Sequence, residues 1–171
     1  MNGDVSYNFP WVRGELELSR AALEAIEAHA RRDYPSECCG LVTGPADDPP
    51  LADHVMEERN LADRYHALDP ERFPRTSRTY FKMDELRAAR AFEQGRRTGR
   101  PVKLIYHSHV DAGAYFSAED GATFAVGGVL QWPCAFLVVS VRDGEVADRK
   151  LWVHVPGTDR FEERPVRVRA P

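Results

Sequence analysis

Two histidines two residues apart, His107 and His109, close the apolar run Val102-Lys103-Leu104-Ile105. That run has the character of a short buried strand. Side chains alternate along a strand, so the two imidazoles share one face. Asp120 returns after a glycine-containing loop, at what reads as a helix start. Two imidazoles and a carboxylate suit zinc, and three protein ligands leave the fourth tetrahedral position open for water, the mark of a catalytic site. Ser117-x-x-Asp120 is also the pattern of a helix capping box. The two roles are compatible, because a helix start fixes the serine hydroxyl and orients Asp120 in the first turn.

A further carboxylate lies upstream, in Pro35-Ser36-Glu37-Cys38-Cys39-Gly40-Leu41-Val42-Thr43-Gly44. Cys38 to Thr43 reads as a short apolar strand with Glu37 at its entrance. Alone, a glutamate at a strand mouth is usually just solvated. Beside a metal site it could serve as a general base.

Glu37 followed by His107-x-His109-x(7)-Ser117-x(2)-Asp120 matches the signature of the JAMM (MPN-plus) metalloprotease family residue for residue. The Glu-Cys-Cys-Gly and Tyr-His-Ser-His strands resemble the short bacterial branch of that family, and the resemblance spans roughly residues 15 to 155. One departure is Val110, where many members carry proline. The resemblance implies a zinc-dependent (iso)peptidase with one zinc per chain, held by His107, His109 and Asp120. It implies that Glu37 accepts the water's proton and delivers it to the leaving amine, and that Ser117 hydrogen-bonds the oxyanion. Relatives cut the bond after the C-terminal Gly-Gly of ubiquitin-like proteins, and short bacterial members resemble processing enzymes for sulfur-carrier proteins. The expected partner is therefore a ubiquitin-like or sulfur-carrier protein ending in Gly-Gly. The same resemblance implies an α/β fold: a mixed, curved β-sheet flanked by helices, with the zinc at one end.

Two other readings stand beside this one. Some members of the wider family are non-catalytic scaffolds, but those lack ligands that this chain has. A zinc hydrolase of small amides is the second. A zinc deaminase would need Pro-Cys-x-x-Cys, and Pro133-Cys134 is followed by Ala135, Phe136 and Leu137.

Composition sets the outer bounds. A chain of 171 residues with 43% hydrophobic content supports one domain, 1–171, with a core of about 11–155 and tails at 1–10 and 156–171. The net charge of −4 argues against nucleic acid as the main partner. No apolar run is long enough for a membrane helix, and no signal peptide is evident, so the expected location is cytoplasmic. Cys38, Cys39 and Cys134 lack disulfide or zinc-ribbon spacing and read as small buried apolar residues.

The remaining elements follow from patterning. Val12, Gly14, Leu16 and Leu18 alternate with polar residues and predict a half-buried first strand. Ser19 caps a helix to about Arg32, with Leu23, Ile26 and Ala30 facing the core. Gly44 to Pro50 reads as a turn, Leu51 to Arg59 as a weak strand and Thr79 to Lys82 as another. Asn60 to Arg78 is irregular and carries Arg72 and Arg75, expected to help hold substrate. Asp84 caps a helix to about Arg97, with Leu86, Ala89 and Phe92 inward. A helix from Ala118 runs to about Val126. Arg142-Asp143-Gly144 joins two apolar strands as a hairpin.

Overall fold

The computed structural model describes residues 7–171. The first six residues of the expected N-terminal tail lie outside the described residues. A mixed six-stranded sheet is the frame, in the order β10 (Phe161–Arg164), β9 (Glu145–His154), β8 (Ala135–Arg142), β5 (Val102–Val110), β2 (Cys39–Thr43) and β4 (His54–Glu58). β5 runs parallel to β8 and antiparallel to β2. The expected mixed sheet is therefore observed. β5 is central and buried along nearly its whole length, which is why its sequence is a continuous apolar run rather than an alternating one. The β8–β9 hairpin forms as expected, with Asp143 at φ 50° and Gly144 at φ 80°, the left-handed pair that a two-residue hairpin turn requires.

Helix α1 (Arg20–Asp33) is capped by Ser19, whose Oγ accepts the Ala22 N–H at 3.1 Å. It packs Leu23, Ile26 and Ala30 against the sheet. His29 on this helix is satisfied internally: Nδ1 meets the Tyr106 hydroxyl at 2.7 Å and Nε2 the Asp33 carboxylate at 3.1 Å. Helix α2 (Ala62–Leu68) lies inside the stretch expected to be irregular. Only Ala62 of it is buried and Leu68 is 75% exposed, so it has no apolar stripe to read. In helix α3 (Glu85–Thr98) the inward face is Ala88, Phe92 and Gly95. Leu86 and Ala89 are exposed, against expectation. Gly95 sets that rotation: a Cβ there would fall 2.5 Å from the Arg100 carbonyl oxygen, so the helix touches the chain on that side.

The expected first strand is mostly replaced. Pro10–Arg13 forms a 3₁₀ turn with proline at its start, and Gly14 at φ 88° ends it. Only β1 (Glu17–Leu18) remains extended, between β3 (Leu51–Ala52) and β11 (Arg167–Val168). The C-terminal stretch, expected to trail off or add one short edge strand, supplies two strands, β10 and β11. Thr79 to Lys82 is not a strand, because the Tyr80 carbonyl and Lys82 N–H bond the Asn60 side chain instead of a neighbouring ladder. Helix α4 (Ala118–Phe124) ends two residues early, where β6 (Ala125–Val126) and β7 (Val129–Leu130) turn back through Gly127-Gly128.

Lys103 is fully buried on β5, and its ammonium donates to the carbonyls of Pro45, Asp48 and Leu51 at 2.8–3.0 Å. Burial lowers its pKa to about 8. Three carbonyl acceptors use all three ammonium protons and pin the turn after β2 to the central strand. Cys38, Cys39 and Cys134 are free and buried in the core. No helix is long and apolar enough to cross a membrane among the described residues.

Candidate metal and catalytic centre

β5 alternates as its sequence requires. His107 and His109 face one side, while Ser108 faces the other and its Oγ accepts the Cys38 N–H at 2.8 Å. That bond and the Cys39–His107 register lock β2 against β5. Glu37, just outside the ladder, is thereby level with His109 and is 6% exposed. Ser117 is the N-cap of α4 in a full capping box: its Oγ accepts the Asp120 N–H at 3.0 Å, and Asp120 Oδ2 accepts the Ser117 N–H at 3.0 Å.

These elements bring three donor atoms into a triangle. His107 Nε2 lies 3.2 Å from His109 Nε2 and 3.2 Å from Asp120 Oδ2, and His109 Nε2 lies 3.4 Å from the same oxygen. Donors about 2.0–2.1 Å from a tetrahedral zinc stand about 3.3–3.4 Å apart, so the spacing and donor types fit that ion. A second grouping shares the histidines: a Glu37 carboxylate oxygen lies with both ring nitrogens inside 4.8 Å. The Asp120 triangle is the tighter of the two. His109 Nδ1 is 2.8 Å from the Gly113 carbonyl, so its proton belongs there and Nε2 keeps a free lone pair. Among the described residues, His107 Nδ1 is the buried side-chain polar atom with no partner. Phe81 stacks on His107 with ring centres 4.3 Å apart, and Tyr115 meets His109 edge-on at 4.8 Å.

The two carboxylates are pushed in opposite directions. Burial, reinforced by the Asp120 charge and partly offset by Arg75, raises the Glu37 pKa to about 9. Burial would raise Asp120 as well, but the charge and hydrogen bond of His107, the bond from His109 and the Ser117 N–H outweigh it and hold Asp120 well below the usual carboxylate range. Burial lowers the His107 pKa against the pull of Asp120, the direction that favours metal binding, since a metal takes the neutral ring.

Glu37 is held from its backbone. Its N–H donates to the Ser77 carbonyl at 2.7 Å, and its carbonyl accepts from Asn60 Nδ2 at 2.8 Å. Asn60 also binds the Tyr80 carbonyl and the N–H groups of Ala62 and Lys82, each at 3.0 Å. Neither Asn60 nor Phe81 is among the site residues expected from the sequence. The one available signal was an asparagine shortly before a helix, which is a capping pattern. Arg75 lines the same cleft as Glu37, Ser117 and Asp120 and pairs with Glu119 at 2.9 Å. Arg72 sits outside it, in an adjoining pocket, with its guanidinium 5.3 Å from the centre of the Phe73 ring. A wider cleft on the far side of α4, lined by Phe116, Trp152 and Phe161, reaches the centre only at Ser117.

Comparisons with known proteins agree on one family. The family model of prokaryotic homologues of the JAB domain matches residues 19–155. Proteins named CysO-cysteine peptidase from Mycobacterium tuberculosis and Mycobacterium bovis are 32% identical over 157 residues, covering 90% of this chain and 90% of theirs. A solution structure of a Desulfitobacterium hafniense protein superposes with a TM-score of 0.66 at 23% identity, covering 91% of this chain and 94% of that one. A JAB1/MPN domain protein from Archaeoglobus fulgidus does so with a TM-score of 0.53 at 17% identity, covering 90% and 96%. At those identities the structural likeness is one of fold.

Proposed function

Because the chain belongs to the prokaryotic JAB family and is a JAMM-type metallopeptidase, we propose that it hydrolyses the amide bond after the C-terminal Gly-Gly of a sulfur-carrier protein. The observation that carries this reading is the His107–His109–Asp120 triangle with the buried Glu37 carboxyl beside it. The name of the mycobacterial relatives, a peptidase for a CysO–cysteine bond, supports the substrate class.

In this reading His107, His109 and Asp120 hold one zinc per chain. Bound there, zinc supplies a Lewis acid that polarises the amide carbonyl and makes water acidic enough to react near neutral pH. Glu37 takes the proton from the attacking water and hands it to the leaving amine. The Ser117 Oγ already accepts the Asp120 N–H, so its own proton is free to be donated to the carbonyl oxygen as charge develops there. Arg72 and Arg75 hold the substrate at the rim. A Gly-Gly tail carries no side chains, which suits a cleft of only about 140 Å³.

Three results test this reading. A carrier extended beyond Gly-Gly should be cut after the second glycine, and Gly→Val at that position should abolish cleavage. Short acyl amides cut as efficiently as the carrier would instead give the small-amide hydrolase. Ser117→Ala should lower kcat by about a hundredfold, since such a donor is worth on the order of 3 kcal/mol in the transition state. It should also cost about 1 kcal/mol of stability from the lost cap. Ser117→Thr keeps both hydroxyl and cap and should recover most of the rate. A Ser117→Ala enzyme with lowered Tm but normal kcat would leave Ser117 only its capping role. Replacing Arg72 and Arg75 with alanine should raise KM with little change in kcat, and an unchanged KM would remove them from substrate holding.

A further inference from the structure

Arg78 lines the same cleft as Glu37, Ser117 and Asp120, and the chemistry above gives it no task. Among the described residues no carboxylate forms an ion pair with it. Asp111, whose charge it does feel, is committed elsewhere: its oxygens accept the Tyr34 hydroxyl at 2.9–3.0 Å and the Asp143 N–H at 3.0 Å. The other cleft carboxylates are also engaged, Asp120 with the histidines and Glu119 with Arg75. The Arg75–Glu119 pair is half-exposed on both sides, a kind of contact worth little and easily exchanged for a better partner. Its 2.9 Å contact uses Nη2, so the rest of the guanidinium fork can serve a second acceptor.

The mounting of Arg78 is rigid although its side chain is free. The preceding residue, Ser77, is buried, and its N–H and Oγ donate to Asp63 at 2.7 and 2.8 Å. The Ser77 carbonyl is the acceptor that fixes the Glu37 N–H. One short segment therefore sets both Glu37 and a cation that lines the same cleft.

Hydrolysis places OH on the carbonyl carbon and H on the departing nitrogen. If the departing group is a single amino acid, its α-carboxylate is one carbon away from that nitrogen. We propose that Arg78, together with Arg75, receives the free α-carboxylate of the released residue and so makes the enzyme select an adduct whose α-carboxylate is free. This rests on the peptidase reading above and narrows it. A side-chain-linked isopeptide would present no carboxylate at this place.

The test compares a carrier ending Gly-Gly-Ala as the free acid with the same carrier ending in the carboxamide. Cleavage is followed by intact mass with wild type, Arg78→Ala and Arg75→Ala. Charge-assisted hydrogen bonds of this kind favour the acid by about tenfold or more in kcat/KM. Wild type should show that preference, and in each variant the ratio should fall toward one. Measurable carboxamide cleavage reports that the variant is folded. Wild type cutting both forms alike, or Arg78→Ala retaining the preference, overturns the proposal. Wild type cutting neither form overturns the peptidase reading, and this proposal with it.

Discussion

Replacing Glu37 with glutamine should lower kcat by about three to four orders of magnitude while zinc content stays at one per chain. Loss of a positioned general acid–base group typically costs about 10²–10⁴ in rate, and the upper end applies here because one carboxyl both takes and delivers the proton. The substitution is close to isosteric, and the backbone bonds that hold the residue, to Ser77 and Asn60, do not involve the side chain. The carboxyl is buried and its pKa is raised to about 9 chiefly by that burial. A neutral amide is therefore accommodated without stranding a charge. A nearby divalent cation pulls the carboxyl the other way, toward ionisation at neutral pH. The experiment also separates the two groupings around the histidines. If Glu37 rather than Asp120 completes the ligand set, Glu37→Gln will lose zinc along with activity, and metal analysis of the purified variant will show it.

Asp120→Ala should reduce zinc affinity by at least about a hundredfold and take hydrolysis to background. Loss of a residue that merely orients a ligand already costs about 10–100-fold, and here the charged donor itself is removed. Asp120 Oδ2 lies 3.2 and 3.4 Å from the two ring nitrogens and is kept ionised by its neighbours. A readout independent of catalysis is available. Zinc at a hundred times its Kd should stabilise the wild-type protein by about 2.7 kcal/mol and raise Tm accordingly, and Asp120→Ala should show no such rise. Asp120→Asn isolates the charge, because an amide oxygen can still accept the Ser117 N–H and preserve the start of α4. Zinc-dependent stabilisation that survives in Asp120→Ala would exclude Asp120 from the ligand set.

The parts of this centre that were legible in the sequence are those written in local periodicity. His107 and His109 share a face because β5 is a strand, and Ser117 and Asp120 are placed by a capping box four residues long. Their approach to one another, and the arrival of Glu37, depend on the β2–β5 register and on the loop after β5. Local patterning carries neither, and there the resemblance to the JAMM signature supplied the connection. The misread elements have physical reasons. The alternation from Val12 to Leu18 could not show that Gly14 would take a left-handed φ and end a 3₁₀ turn. The α3 face was misassigned because Gly95, with no side chain, marks the contact side better than Leu86 does. The stretch from Asn60 to Lys82 is organised by the Asn60 side chain, which bonds backbone groups, and by buried Ser77, which donates to the Asp63 carboxylate, not by apolar spacing.

The most direct measurement is intact-mass analysis of a bacterial sulfur-carrier protein extended beyond its Gly-Gly. It would be incubated with zinc-loaded protein and, in parallel, with Glu37→Gln at matched zinc content. The expected result is a mass loss that leaves the carrier ending at Gly-Gly, seen only with the wild-type enzyme. An unchanged carrier mass with one zinc bound per chain would contradict the proposed substrate, and equal cleavage by Glu37→Gln would contradict the role assigned to Glu37.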